Sequence, residues 1–334
     1  MKVLVVKRDK IGDLLLTTPM LAHLKASQPR TEVHLVANDY NAWVVEGNRH
    51  IDRLWIYPRV RHGGKLRLGA AVKNVLLTYQ LRKQRFDWVI VANGEHSHRA
   101  VALARRIGVA RIVAYGAAVS DPLPLAPQVH EMDRLLAMLH PLGVLPPVDE
   151  LFPKYTLPEK AKSFAKEWTA ERGIESYVVL GLGARRQKKQ PSKDQILRWA
   201  RHFNDQYGLQ TVFMWTPGRA ADPLYPGDDD VAQPVVDARP GYLHPFRGPI
   251  QEALGLIWGA RTSIFPDSGL MHFAAASPGG VLGLFAESSV SPGPMNWAPR
   301  GPRAEWLEAD KAVAELTDMQ VYEKLARLLK PRSA

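Results

Sequence analysis

Residues 262–276 read TSIFPDSGLMHFAAA. A short β-rich run (Ser263, Ile264, Phe265) ends at Pro266, Asp267-Ser268-Gly269 follows, and an apolar, alanine-rich segment of helical character begins. Asp and Ser oxygens accept the orphan amide bonds of a first helical turn, and glycine leaves the backbone open to something outside the protein. A strand that turns into a helix N-terminus through small residues presents free amides and the positive end of a helix dipole, a ready site for an anion. His272 sits on that first turn and supplies a second donor. The plainer description is a capped βα turn with a satisfied histidine, an ordinary feature of α/β domains.

The rest of the chain repeats this alternation. Residues 2–7 (KVLVVK) are a short β-branched apolar run, the mark of a buried parallel strand. The loop Arg8-Asp9-Lys10-Ile11-Gly12-Asp13 then opens a helix over 14–26 that stops before Pro29. Further strands are expected at 32–37, 53–57, 87–92 and 111–115. Helices are expected between the basic loop 59–67 (RVRHGGKLR) and about residue 85, after the loop 93–99, and over 131–142. Pro146, Pro147, Pro153 and Pro158 crowd residues 145–160 and mark a linker. Alternation restarts with a strand at 177–180 entering Gly181-Leu182-Gly183-Ala184-Arg185-Arg186. A helix at 196–207, strands at 211–215 and 235–236, and a helix at 250–260 follow. The opening segment, a strand at 281–285 and a terminal helix near 316–329 complete the set.

Strands alternating with helices build βαβ units and doubly wound parallel sheets. The expected architecture is α/β, with two Rossmann-like domains facing across a cleft and ligands at the C-terminal ends of the strands. Residues 1–150 form the first domain and 151–315 the second. Residues 316–334 are a terminal helix that can pack back on the N-terminal domain.

Of the 334 residues, 44 are Lys or Arg and 33 Asp or Glu, a net charge of +11 that points to polyanionic partners. There is no cysteine, which excludes disulfides, thiolate metal sites and a cysteine nucleophile. The first residues lack the uninterrupted apolar stretch of a signal peptide and no apolar run reaches ~18 residues, so a cytosolic protein is expected.

Several residues could carry chemistry. Asp13 lies at the C-terminal edge of the first strand, where it is either a helix cap or a general base kept ionised by the helix start, Arg8 and Lys10. Gly181 to Lys189 (GLGARRQKK) is a glycine-rich turn with four cations. It lacks the third glycine of a dinucleotide fingerprint, so a diphosphate suits it better than NAD, and a solvated basic loop remains the alternative. Asp228-Asp229-Asp230 could hold Mg²⁺ on a nucleotide-sugar diphosphate, but its Pro- and Gly-rich approach favours a solvated loop. Arg59, Arg61, Lys65 and Arg67, with Arg99 beyond, would face the cleft from the first domain. No aromatics are interleaved with them, which favours a phosphorylated acceptor over nucleic acid.

These residues resemble glycosyltransferase family 9, the heptosyltransferases that build lipopolysaccharide cores on a GT-B fold. KRDKIGDLLLTTPMLAHLK is similar to the family's R-x-x-x-x-G-D-x-L-x-T-x-P-x-L opening, and PDSGLMHFAAA to its D-T-G-x-x-H-x-A-A motif. Weaker echoes are VANGEHSHRAVALARRIGVARIVAYG, HEMDRLLAMLHPLGV and VLGLFAESS. The resemblance implies an inverting, metal-free transfer, without cofactor, from an ADP-activated heptose to a Kdo–lipid A type acceptor. That acceptor is an anionic lipid-linked saccharide met at the cytosolic face of the inner membrane.

In that picture Asp13 is the catalytic base. Asp267, Ser268 (in place of the usual threonine), Gly269 and His272 form the diphosphate-sugar site. Lys188 and Arg185 hold phosphate beside Gly183, and Arg61, Lys65, Arg67 and Arg99 meet the acceptor. The family's K-x-W-P reads Lys188-Lys189-Gln190-Pro191 here, and its nucleoside-contacting glutamate is replaced by Thr216-Pro217-Gly218-Arg219. The alternatives are a transferase using another nucleotide sugar, for O-antigen, capsule or protein glycosylation, a nucleotide-sugar 2-epimerase, or a non-catalytic nucleic-acid binder.

Overall fold

The computed structural model describes residues 1–62, 65–94, 97–183, 186–222, 227–289 and 293–330, with backbone only at 61–62 and 65–66. The chain divides into two units, Met1–Thr156 and Leu157–Ala334.

The first unit is built on a six-stranded parallel sheet. Its strands are β1 (Lys2–Val6), β2 (Glu32–Asn38), β3 (Arg53–Tyr57), β6 (Trp88–Val91), β7 (Arg111–Tyr115) and β8 (Asp121–Leu123), in the order β3-β2-β1-β6-β7-β8. Two-residue strands β4 (Arg61–His62) and β5 (Lys65–Leu66) pair antiparallel beside it. The helices are α1 (Ile11–Leu15), α2 (Thr18–Ser27), α3 (Leu68–Lys83), α4 (His98–Ile107) and α5 (Glu131–Ala137). β1 bonds to β2 on one side and β6 on the other, and Val3 to Val6 are wholly buried. A central parallel strand is covered on both faces, which is why it is apolar throughout. The helix expected over 14–26 is two helices, with Asp13 inside α1 instead of ahead of it.

The second unit repeats the plan with β9 (Tyr177–Gly181), β10 (Gln210–Met214), β11 (Leu243–Phe246), β12 (Ser263–Pro266), β13 (Val281–Phe285) and β14 (Ala304–Glu308), ordered β11-β10-β9-β12-β13-β14. Around this second parallel sheet lie α6 (Glu159–Ala170), α7 (Lys193–Tyr207), α8 (Asp229–Asp237), α9 (Ile250–Gly259), α10 (Gly269–Ala276), α11 (Pro294–Trp297) and α12 (Asp318–Leu329). α7 starts on a reciprocal Ser192–Gln195 capping box and stops at Gly208, whose φ of 62° is left-handed. The strand expected at 235–236 is helix: Val235 and Val236 belong to α8, with Val235 buried against α7 and β10 residues such as Trp199 and Phe213.

Val321, Leu325, Leu328 and Leu329 of α12 share one core with Val178, Phe203 and Phe213, so α12 is packed into the second unit. Among the described residues no helix is long and apolar enough to cross a membrane.

Candidate functional site

In an open parallel sheet the strand order reverses at one point, and the crevice beyond the strand ends there receives ligands. In the first unit that point lies between β1 and β6. The loop after β1 and the loop after β6 are joined: Asn93 Nδ2 donates to Asp9 Oδ1, and the Gly94 amide donates to Asp9 Oδ2 at 3.1 Å. Asp13 follows in α1, half-buried, and accepts the Lys10 amide at 3.1 Å.

Beneath it lies Lys7, fully buried. Its ammonium donates to Ala92 O at 2.7 Å and to Glu131 Oε1 at 3.0 Å, and reaches Asp9 Oδ2 at 3.4 Å. Arg134 on the last turn of α5 pairs with the other Glu131 oxygen at 3.1 Å. Burial would strip the Lys7 charge, but Glu131, Asp9 and Asp13 together hold its pKa above the usual value. Burial acts the other way on Asp13. It pushes the carboxyl up from its ordinary value, Lys7 opposes the rise, and Asp9 and Glu131 add to it. The expectation that Arg8 and Lys10 keep Asp13 readily ionised is therefore corrected. The Arg8 guanidinium lies 4.3 Å from the Tyr57 ring centre, Lys10 offers its backbone amide, and the opposing cation is Lys7.

Lys7, Asp9, Asn93 and Glu131 were not singled out from the sequence. One signal was there: a lysine closing an apolar β-strand must be buried, and a buried ammonium requires carboxylate partners. Which carboxylates it would find, 124 residues away in one case, is a property of the fold.

The second unit reverses its order between β9 and β12, and there the expected donor residues gather. Asp267 follows β12, Ser268 is the N-cap of α10, and Gly269 is its first residue. Ser268 makes no side-chain cap bond, and its buried Oγ has no hydrogen-bond partner among the described residues. The expected side-chain capping by Ser268 is thus absent; the Met271 amide donates to Ser268 O at 3.2 Å, and the Gly269 and Leu270 amides ahead of it are left to other acceptors. His272 is buried on the same turn, its ring 6.3 Å from that of Trp297.

Across from α10, the 3-10 turn Gln187–Lys189 carries Lys188, exposed, and Lys189, whose ammonium pairs with Asp267. Lys189 was not among the expected site residues, yet it is the lysine held on Asp267. Gln190, standing where the family pattern has tryptophan, donates to Asp228 Oδ1 at 2.7 Å and ties this turn to α8. Gly181 is needed for packing, because a Cβ there would lie 2.0 Å from the Phe265 ring. At Gly183 a Cβ would meet only Thr216 Oγ1, at an ordinary 3.5 Å. Arg185 lies outside the described residues.

The triple aspartate is not a solvated loop: Asp228 is the N-cap of α8, and Asp229 and Asp230 lie in its first turn. Asp229 accepts from Trp215 Nε1 at 2.7 Å and the Gly218 amide at 3.0 Å, and pairs with Arg247. Asp228 takes the Gln190 bond and a 3.4 Å bond from the Thr216 amide, and Asp230 accepts from the Ala220 amide at 3.3 Å. The cluster fastens the β10–α8 turn, the same turn in which the family's glutamate is missing.

The basic residues of the first unit divide. Arg59 and Arg67 both pair with Asp39, at 2.9 and 3.0 Å. Arg61 and Lys65 lie on β4 and β5. Arg99 is exposed on the first turn of α4, near enough to Arg8 to help burial lower the Arg8 pKa.

The model of glycosyltransferase family 9 (heptosyltransferase) matches residues 75–325. Among solved structures, the family 9 glycosyl transferase of Veillonella parvula DSM 2008 superposes with a TM-score of 0.80 at 20% identity, over 98% of this chain and 97% of that one. The E. coli ADP-heptose lipopolysaccharide heptosyltransferase II gives 0.75 at 18% identity, over 98% of each chain. E. coli heptosyltransferase WaaC with ADP gives 0.74 at 17%, over 98% and 100%. Among curated proteins nothing matches. At these identities the superpositions establish a shared GT-B fold of two Rossmann-like domains.

Proposed function

The chain belongs to glycosyltransferase family 9 and is a glycosyltransferase, and we propose that it is an inverting, metal-independent enzyme moving a heptose or related sugar from a nucleotide diphosphate sugar, ADP-heptose first, to an anionic lipopolysaccharide-core acceptor. The observation that carries this reading is Asp13: a half-buried carboxylate at the order reversal of the first sheet, with its pKa raised. A base poised nearer neutrality takes a proton from a hydroxyl more effectively than a fully solvated aspartate.

In this mechanism Asp13 removes the proton of an acceptor hydroxyl, whose oxygen bonds to the anomeric carbon from the face opposite the diphosphate. The bond from that carbon to the diphosphate oxygen breaks, and its electron pair leaves with the nucleotide. Lys188, Lys189 and the open amides of α10 meet the developing charge. Preorganised donors of this kind commonly contribute the largest part of a catalytic effect. Asp267 orients Lys189, and Ser268 Oγ is free to donate to the donor sugar or phosphate.

A second donor nucleotide is favoured by one observation. The Thr216–Arg219 segment lacks the family's glutamate and is pinned by Asp228 and Asp229. A thermal-shift screen of nucleoside diphosphates and their sugars separates the two, since a ligand of the folded state raises its melting temperature. Stabilisation by ADP and ADP-heptose above the uridine, guanosine and thymidine analogues supports the first reading. Transfer to Kdo–lipid A that survives EDTA supports metal independence. No transfer from any ADP-sugar would overturn the ADP-heptose assignment.

A further inference from the structure

Helix α3 carries two apolar faces. One is buried: Leu77 and Leu81 enter the core of the first unit, Ala70 is covered, and Asn74 Nδ2 donates to Pro58 O at 2.9 Å. These contacts fix the helix's rotation. The other face points outward and is equally apolar. Leu68, Val72, Val75, Leu76 and Tyr79 are 72, 62, 70, 56 and 57% exposed. Their spacing of i, i+4, i+7, i+8 and i+11 places all five within an arc of about 100° on the side away from Leu77. A surface helix needs one such stripe to hold it on its core, and a second contiguous stripe in water marks an interaction surface.

Charge says what the partner is. Residues 53–86, which include all of α3, contain nine Lys or Arg and no Asp or Glu. Lys73, Arg82 and Lys83 stand along the exposed flanks of the helix, and the Lys83 ammonium lies 4.4 Å from the centre of the Tyr79 ring. Arg59 and Arg67 stand just ahead of its first turn. An apolar stripe flanked by Lys73, Arg82 and Lys83, on a helix with no acidic residue of its own, is the pattern of a helix lying in the plane of an anionic bilayer. The aliphatic groups enter the headgroup–acyl boundary while lysines and arginines remain among the phosphates. Long basic side chains suit that position because their stems are apolar and their heads charged.

We propose that the exposed face of α3 is a membrane-docking surface, lying in the interface of an anionic phospholipid bilayer with Leu68, Val72, Val75, Leu76 and Tyr79 inserted. The choice of a bilayer rests on the lipid-linked acceptor read above. Docking by α3 would bring the basic β4–β5 hairpin, ahead of the helix in sequence, to the same surface.

The test is sedimentation of the full chain, without donor or acceptor, with vesicles of phosphatidylglycerol and phosphatidylethanolamine and with vesicles of phosphatidylcholine alone. The native chain should pellet with the anionic vesicles and be released as salt rises. Val75→Asp combined with Leu76→Asp changes only exposed positions. It should lower partitioning by roughly tenfold or more with the melting temperature unchanged. Lys73→Glu with Lys83→Glu should weaken binding to anionic vesicles specifically. Equal binding to both vesicle types, or a Val75/Leu76 variant that binds like the native chain, overturns the proposal. So does a native chain that ignores vesicles but forms a concentration-dependent dimer that the same variant dissociates, which would give the face to a second copy. Because no sugar transfer is read, a chain that binds vesicles but transfers nothing overturns the acceptor reading alone.

Discussion

Asp13 and Lys7 set the terms of the first-unit site. Asp13→Asn keeps the side chain's shape and its ability to accept the Lys10 amide. Turnover should fall by ~10² or more while donor binding stays close to native, as for the loss of a general base. Near-native transfer by this variant would remove Asp13 from the mechanism. The raised pKa also fixes the sign of two pH effects. The base works ionised, so kcat should rise with pH through a point above the ordinary aspartate range. Stability runs the other way: a carboxyl whose folded pKa exceeds its unfolded one favours folding below the unfolded pKa and loses that advantage as pH climbs through the folded value. Asp13→Asn should therefore melt at or above the native temperature in neutral buffer, with the gap closing as pH falls. A variant that is less stable at neutral pH and recovers in acid contradicts the assigned direction. Lys7→Ala is a harsher change. It strands Glu131, Asp9 and Asp13 around a buried hole, a loss of about 3–5 kcal/mol for one partner of a buried ion pair, measurable by urea unfolding. In whatever protein remains folded, the kcat profile should move to still higher pH, because the cation opposing the Asp13 rise is gone.

The turn between β10 and α8 shows how an element can be held by its own first residues. Arg247 and Trp215 hold the Asp229 carboxyl down at about 2, against an ordinary value of 3.8. A depressed carboxyl contributes stability above the unfolded pKa and loses it as pH falls through the folded one. Asp229→Asn should lower the melting temperature at pH 7, and the difference should vanish between about pH 4 and pH 2. Trp215 fluorescence reports the same turn directly, since its indole N–H loses its acceptor. A variant that melts like the native chain at pH 7 would make the cluster an ornament. Elements like this were the hardest to foresee. Val235-Val236 reads as strand because adjacent valines favour one, yet α8 buries Val235 from a helix that contains Pro234. The unforeseen strands β8, β11 and β14 all lie at sheet edges. An edge strand is covered on fewer sides, so it tolerates Pro122, Pro245 and the charges Glu305 and Glu308, which erase the apolar run. The central strands β1, β9 and β13 have no such freedom, and their apolar runs were plain. Motif residues were legible for a related reason: Asp13 and Asp267 lie within single short stretches of sequence. The pairings of Lys7 with Glu131 and Lys189 with Asp267 span 124 and 78 residues and exist only once both sheets are formed.

Charge is distributed unevenly over the chain, and the proposed acceptor chemistry depends on it. Nine cations and no acids between residues 53 and 86 supply most of the net +11. The basic hairpin within that block was assigned to the acceptor, but its residues are not equivalent. Burial opposes ionisation of Asp39, yet the Arg59 and Arg67 guanidiniums hold its carboxyl below the usual range, so both arginines already have an anionic partner. Arg67 should thus meet a phosphorylated acceptor only in competition with Asp39, and its replacement should act partly by loosening the clamp on Asp39. Neutralising Arg61 and Lys65 together should raise the acceptor KM and leave the donor KM unchanged, because the residues proposed for the donor belong to the other unit. Adding Arg67→Gln should raise the acceptor KM by a smaller further factor. The native acceptor KM should also climb with ionic strength, since exposed charges are screened over ~8–10 Å at ordinary salt. The measurement is a full kinetic matrix, donor against acceptor, at two salt concentrations. If the Arg61/Lys65 variant instead loses donor affinity with its acceptor KM untouched, the hairpin serves the nucleotide sugar and the division of labour between the two units is reversed.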